Sequence, residues 1–272
     1  MKTSTSVREL QFRHGTVTPG SRIVPEEVPI AFSFGGSTHA VMMASPADLK
    51  DFAVGFCLTE GIIGAREEID TIEVVAAGDG VDVQIGLVDS SAEALTSRRR
   101  QMAGPVGCGL CGIESIEQAV RVVRELPEHG LGLTPADVVD AVHLLGLAQV
   151  LNRETRAVHG AGFFVPGTGL VAMREDVGRH NALDKLVGAV LRGGHAGSAG
   201  AVVVTSRLSV EMVQKAAMLG SPVLIAISAP TALAIRTAEA ANMTLVAIAR
   251  GEEFEIFTRP ERIQAGAVSD VA

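Results

Sequence analysis

The chain has 272 residues, 47% of them apolar, with 23 Lys and Arg against 31 Asp and Glu. That length buries a proper core as one large domain or two small ones, and the composition carries no signature of disorder. A net charge of −8 and the absence of Trp and Tyr exclude a broad electrostatic grip on nucleic acid and an aromatic platform for stacking bases.

No apolar run approaches the ~18–20 residues of a membrane span. The opening MKTSTSVRELQFRHG has neither an apolar h-region nor a cleavage signature, so no signal peptide is expected. Three cysteines, an odd number in a long chain, do not make a disulfide scaffold and point to the reducing cytoplasm.

In chain order, the first ~20 residues are polar and are expected to fray or to dock loosely. From 23 to 43, VPIAFSF and THAVMM flank Gly35-Gly36, which predicts a hairpin. A helix follows over ASPADLKDFAVGFCLTEGII, with Ser45 as N-cap, Pro46 at the first helical position, Asp48 in the first turn and Gly61 at the end. Cys57 lies inside it and reads as a small core hydrophobe. IDTIEVVAAGDGVDVQIGLVD predicts a second hairpin around Gly78-Asp79-Gly80. A polar, basic stretch then leads to GPVGCGLCGIES, and Ile113, Ile116, Val120 and Val123 recur behind it at helical spacing. Another helix is expected over 134–152, with Thr134 as cap and Pro135 at N1.

The second half alternates differently. GFFVPGTGLVAM is a hairpin, and HNALDKLVGAVL, LSVEMVQKAAMLG and TALAIRTAEAAN are helices. AGAVVVTS, SPVLIAIS, MTLVAIAR and EFEIFT are strands. Continuous apolar strands between helices predict a largely parallel sheet covered on both faces. The boundary falls near the cysteine loop: an α+β unit over 20–105 and a layered α/β unit over 106–263.

Cys108 and Cys111 admit four readings. As zinc ligands they lack partners: the deaminase pattern needs an upstream H-x-E, and the chain contains none. No metal site is therefore expected. A thioredoxin-like dithiol should follow the first strand of a βαβ unit, whereas this pair follows a basic, Gly-rich loop. Two cysteines placed incidentally in a turn are a third reading. The fourth is a mobile nucleophilic thiol, with a helix N-terminus and Arg98, Arg99 and Arg100 nearby to favour thiolate. Such a thiolate can hold sulfur as a persulfide, and a second cysteine two residues on can assist by exchange.

A second polar constellation is REDVGRHNALDK, residues 174–185, between a strand and a helix. Arg179 and His180 beside a helix N-terminus suit an anion or nucleotide. TSRLS and SAPT sit where buried strands hand over to helices, so Ser206 and Ser228 are further candidates for a phosphate-bearing ligand. No Walker A or G-x-G-x-x-G motif is present.

Together, VMMASPADLKDFAVGFCLTEGII, RRRQMAGPVGCGLCGIES, REDVGRHNALDKLVG, TSRLSVEMVQKAAMLG and LVAIARGEEFEIFTRPERI resemble the FdhD/NarQ family, over about 28–263. The resemblance implies a cytidine-deaminase-like three-layer α/β/α core with a smaller N-terminal α+β subdomain. It implies a sulfur carrier required for formate dehydrogenase. Sulfur would pass from a cysteine desulfurase to the molybdenum (or tungsten) bis-molybdopterin guanine dinucleotide cofactor, within a cytoplasmic homodimer. Cys108 matches the persulfide-carrying cysteine and Cys111 its neighbour. Ile248, Ala249, Arg250, Gly251, Glu252 and Glu253 match the cofactor-binding segment, and His159 matches a family histidine. Glu252 and Glu253 stand where related sequences often carry a basic residue. Carboxylates repel pyrophosphate, which leaves Arg250 and the backbone at Gly251 as the contacts in that segment. The alternative is a cofactor-binding chaperone without sulfur chemistry.

Overall fold

The computed structural model describes residues 1–92, 123, 125–128 and 130–264. The N-terminus does not fray. β1 (Ser4–Arg13) and β2 (Thr16–Pro25) pair antiparallel along their whole length around a His14-Gly15 turn, both residues at positive φ. Such two-residue turns match the twist of a hairpin, and Thr, Val and Phe between polar residues suit its strands.

β3 (Val28–Phe34) and β4 (Ser37–Ala44) form the hairpin expected at Gly35-Gly36. β5 (Ile69–Ala77) and β6 (Gly80–Leu87) form the one expected at Gly78. β3 and β6 pair in parallel, which completes a four-stranded sheet in the order β4-β3-β6-β5. Helix α1 (Leu49–Thr59) lies under this sheet, with Phe52 edge-on and Phe56 stacked on Phe32. The helix starts later than expected. Asp48 takes a left-handed conformation and makes no side-chain cap, and Ser45 is buried in a different role described below.

The larger sheet has six strands in the order β12-β11-β10-β9-β7-β8. β7 (His159–Val165) and β8 (Gly169–Asp176) are a hairpin, as are β11 (Thr244–Arg250) and β12 (Glu253–Thr258). Only β9 (Ala201–Val204), β10 (Val223–Ala226) and β11 run parallel to one another. The sheet is thus mixed, not largely parallel, because strands joined by tight turns must run antiparallel and only helical crossovers allow parallel pairing.

Both faces are covered. Helix α2 (Pro135–Ala148) sets Val138, Ala141 and Leu145 against Val203, Ile225 and Val246 on one face. On the other face lie α4 (Arg179–Arg192), α5 (Val210–Leu219) and α6 (Ala232–Ala240), continuous through one buried apolar cluster with α1 and the smaller sheet. Gly55 of α1 and Gly188 of α4 allow the closest approach. A Cβ on Gly188 would fall on the Asp51 carbonyl, and one on Gly55 on the Asp184 carbonyl.

The helix expected over 134–152 is two helices. Thr134 caps α2 as predicted, accepting from the Asp137 backbone at 3.1 Å. The chain then breaks at Gln149 and restarts as α3 (Val150–Thr155). The cause is tertiary: the Glu175 carboxylate on β8 accepts from the Leu151 and Asn152 backbone at 2.9 and 2.8 Å, capping the new helix from outside.

Candidate functional site

The carboxyl ends of β9, β10 and β11 lie along one edge of the larger sheet, and the loops that leave them are tied together. The Leu208 backbone donates to Ala229, Thr231 donates to Leu208, and Ile248 donates to the Ser228 carbonyl at 3.3 Å. β7 runs antiparallel to β9, so its first residue, His159, starts at the same edge. Thr205 fastens this corner, since its hydroxyl accepts from the Gly160 backbone at 3.0 Å and its own N–H donates to the Gly160 carbonyl.

β8 ends at Asp176, opposite His159 in the ladder, and α4 begins three residues on with Arg179 and His180. No side chain caps α4 at Gly178. His180 Nε2 lies 3.0 Å from Glu211 Oε2 on α5, and Ser209 Oγ donates to the same oxygen at 2.8 Å. The bond from His180, with Ser209 adding to it against the effect of burial, holds the Glu211 carboxyl down at about 2. Burial first, and the Arg179 guanidinium second, push the His159 imidazole below its ordinary value. Arg179 Nε is buried without a hydrogen-bond partner.

Sequence-predicted residues thus converge. Arg179, His180, His159, Ser206, Ser228 and the 248–251 turn share the strand-end edge. The Ser206 hydroxyl is buried and donates to the Arg207 carbonyl, so it is spent within its own loop. Ser228 is half-buried and accepts from the Ile248 backbone through its carbonyl. Arg250 is exposed and donates from Nε to the Ile227 carbonyl at 3.1 Å, which drapes it across the end of β10. Ile248 has φ 54°, a strained state for a β-branched residue, inside the bulge between Ala247 and Arg250. Ala249 is buried in the apolar layer under α2, whereas Gly251, Glu252 and Glu253 are exposed. Cys108 and Cys111, Arg98, Arg99 and Arg100, and the helix expected behind them lie outside the described residues.

Cys57 is fully buried in α1. Burial and then the negative charge of Asp184 push its thiol far up, so it stays protonated and is no nucleophile.

Asp176, Asn181, Asp184 and Lys185 of the 174–185 constellation face inward. Asp176 accepts four hydrogen bonds: Oδ1 from the Gly178 backbone (2.8 Å) and Asn181 (3.1 Å), Oδ2 from Lys185 (2.7 Å) and the Ser45 backbone (3.0 Å). Lys185 also donates to the Ser45 carbonyl, and Asn181 to the Met43 carbonyl. This hub fixes the start of α4, and with it Arg179 and His180, against the end of β4. One turn further on, Lys215 of α5 donates to both oxygens of Asp184 at 2.8 and 2.9 Å and to Thr59 of α1 at 3.0 Å. Burial alone would lower Lys215, but Asp184 and Glu60 outweigh it and hold the ammonium charged. Lys215 and Glu211 were not singled out from sequence, and Ser45 was singled out only as a helix cap. Glu211, an acid in the first turn after a strand-end serine, is the one that carried a readable signal. Among the described residues no group of three His, Cys, Asp or Glu side chains is placed to hold a metal ion, and no helix is long and apolar enough to cross a membrane.

Fold and site define a mixed α/β protein in which His159, Arg179, His180 and Arg250 gather at the carboxyl ends of its parallel strands, the edge where such folds bind ligands. The chain belongs to the FdhD/NarQ family, whose model matches residues 25–264. It is 68% identical over 257 residues to the sulfur carrier protein FdhD of Agrobacterium fabrum, covering 94% of this chain and 95% of that protein. To the protein of the same name from Bordetella bronchiseptica it is 46% identical over 242 residues, covering 89% and 87%. A crystal structure from Desulfotalea psychrophila, assigned as a formate dehydrogenase accessory protein, is 27% identical with a TM-score of 0.78, covering 97% of this chain and 100% of that one.

Proposed function

We propose that this protein is a sulfur carrier that takes persulfide sulfur from a cysteine desulfurase onto Cys108. It passes that sulfur to the molybdenum (or tungsten) bis-molybdopterin guanine dinucleotide destined for formate dehydrogenase. It works in the reducing cytoplasm as a homodimer, on a cytidine-deaminase-like three-layer core. The observation that carries this reading is the gathering of His159, Arg179, His180 and Arg250 along one strand-end edge, in a chain whose relatives bear the name sulfur carrier protein FdhD. The Arg179 and Arg250 guanidiniums and the N-terminus of α4 there suit the pyrophosphates of the acceptor. The inert Cys57 leaves Cys108 and Cys111 as the reactive thiols.

The transfer balances as thiol exchange. The Cys108 thiolate attacks the terminal sulfur of the desulfurase persulfide. A new S–S bond forms on Cys108, the old one breaks, and the desulfurase cysteine leaves as thiolate. The Cys111 thiolate then attacks Cys108 Sγ and expels the terminal sulfur as hydrosulfide toward the acceptor. The Cys108–Cys111 disulfide left behind is returned to thiols by a cytosolic dithiol.

Intact-mass spectrometry after incubation with a cysteine desulfurase, cysteine and pyridoxal phosphate tests this. Wild type gains ~32 Da per sulfur, reversed by thiol, and Cys108→Ala gains none. No gain in wild type, with the desulfurase active on another acceptor, would move the assignment to a cofactor-binding chaperone without sulfur chemistry.

A further inference from the structure

The β1–β2 ribbon stands apart from both cores. Its registered pairs Leu10–Pro19 and Phe12–Val17 place four apolar side chains together on one face, and further along the same face Arg8–Ser21 separates them from Ile23, opposite Ser6. That face is bare: Leu10 is 74% exposed, Phe12 73%, Val17 58% and Ile23 43%. β2 touches the body at α3, where Arg22 Nη2 donates to the Thr155 carbonyl at 3.3 Å. A two-stranded ribbon is marginal in water unless its apolar face is covered, and a contiguous exposed patch marks an interaction surface. The family match begins at residue 25, so the ribbon lies outside it.

We propose that the ribbon is an arm with which two copies of this chain hold one another, the apolar face of each lying on the body of its partner. The inference rests on the homodimer reading above and adds the surface that makes it. Charge selects the occupant. Residues 1–25 carry Lys2, Arg8, Arg13 and Arg22 against Glu9, a net of +3 in a chain of net −8, so the remainder of each copy is −11. A basic arm is attracted to an acidic body of its own kind, and the like-charged bodies are bridged by it. Area is sufficient. The four side chains expose on the order of 400–500 Å² per arm, so two arms laid on two bodies remove about 1,600–2,000 Å², the size of a stable interface.

Light scattering coupled to gel filtration of the full chain tests this, with wild type beside Leu10→Asp/Phe12→Asp. Both side chains are exposed, so the variant keeps its fold, which far-UV circular dichroism checks. Wild type is expected at twice 28.2 kDa. The variant is expected to be monomeric at the same concentration, with self-association weakened at least 100-fold. A variant that remains dimeric overturns the arm and leaves the homodimer standing. A monomeric wild type overturns both. Arg8→Glu/Arg13→Glu should weaken the dimer at low salt and differ less from wild type at high salt. Indifference at both salts would overturn the charge complementarity that selects a second copy.

Discussion

The two faces of α4 draw their polar side chains from one short stretch, yet they end in opposite states. On the inward side, Asp176 at the end of β8 and Asn181, Asp184 and Lys185 of α4 are buried and saturated by Ser45, Met43, Thr59 and Lys215. On the outward face, Arg179 keeps a buried Nε without a partner and His180 leans on a single carboxylate. Saturated buried networks fix geometry, whereas unspent donors at the end of a sheet are available to a ligand. The density of charge along 174–185 is therefore split in two: a clamp between α4 and the β4–α1 segment, and the Arg179 and His180 groups that the clamp holds at the strand-end edge.

The largest effect should come from breaking the clamp. Asp184→Ala leaves the Lys215 ammonium buried without its main counter-charge, a loss of about 3–5 kcal/mol. Asp184→Leu with Lys215→Met should recover most of it, as read from urea unfolding midpoints. If Asp184→Ala unfolds no more easily than an outward-face variant, the division fails.

Arg179→Ala should do the reverse. Stability stays within about 0.5 kcal/mol of wild type because no hydrogen bond of its buried Nε is lost. Calorimetric affinity for GDP, the end group of the proposed acceptor, falls about tenfold, or ~1.4 kcal/mol. Unchanged GDP binding would remove Arg179 from the recognition face.

The smallest effect concerns pH. The folded-state value of Glu211, about 2, lies below its ordinary 4.5. The stabilisation from its bonds to His180 and Ser209 is complete above pH 4.5 and lost as pH falls toward 2. Urea midpoints at pH 5 and pH 3 should fall further in wild type than in Glu211→Gln. Equal falls would mean that Glu211 makes no such bond in solution.

Much of the chain was legible because its signals are local. The glycine turns at 35–36 and 78–80, the Thr134-Pro135 helix start and the strand–helix alternation of the second half all stand where short-range stereochemistry puts them. The N-terminal segment reads as frayed or loosely docked; it docks at α3, but its strand pairing escapes that reading because the strands present few buried residues, so hydrophobic alternation is weak there. Ser45 followed by Pro46 looks like a helix cap, but its backbone is taken by Asp176 and Lys185, far away in sequence.

The sequence by itself determined the family, the class of the larger sheet's elements, and which side chains deserved attention at its edge. Tertiary structure alone decided which of those side chains are spent. Asp176, Asp184 and Lys185 stand in the same short charged stretch of the chain as Arg179 and His180. Their roles part only when α1 and α5 pack against one face of α4, remove water from it, and oblige every charge there to find a partner.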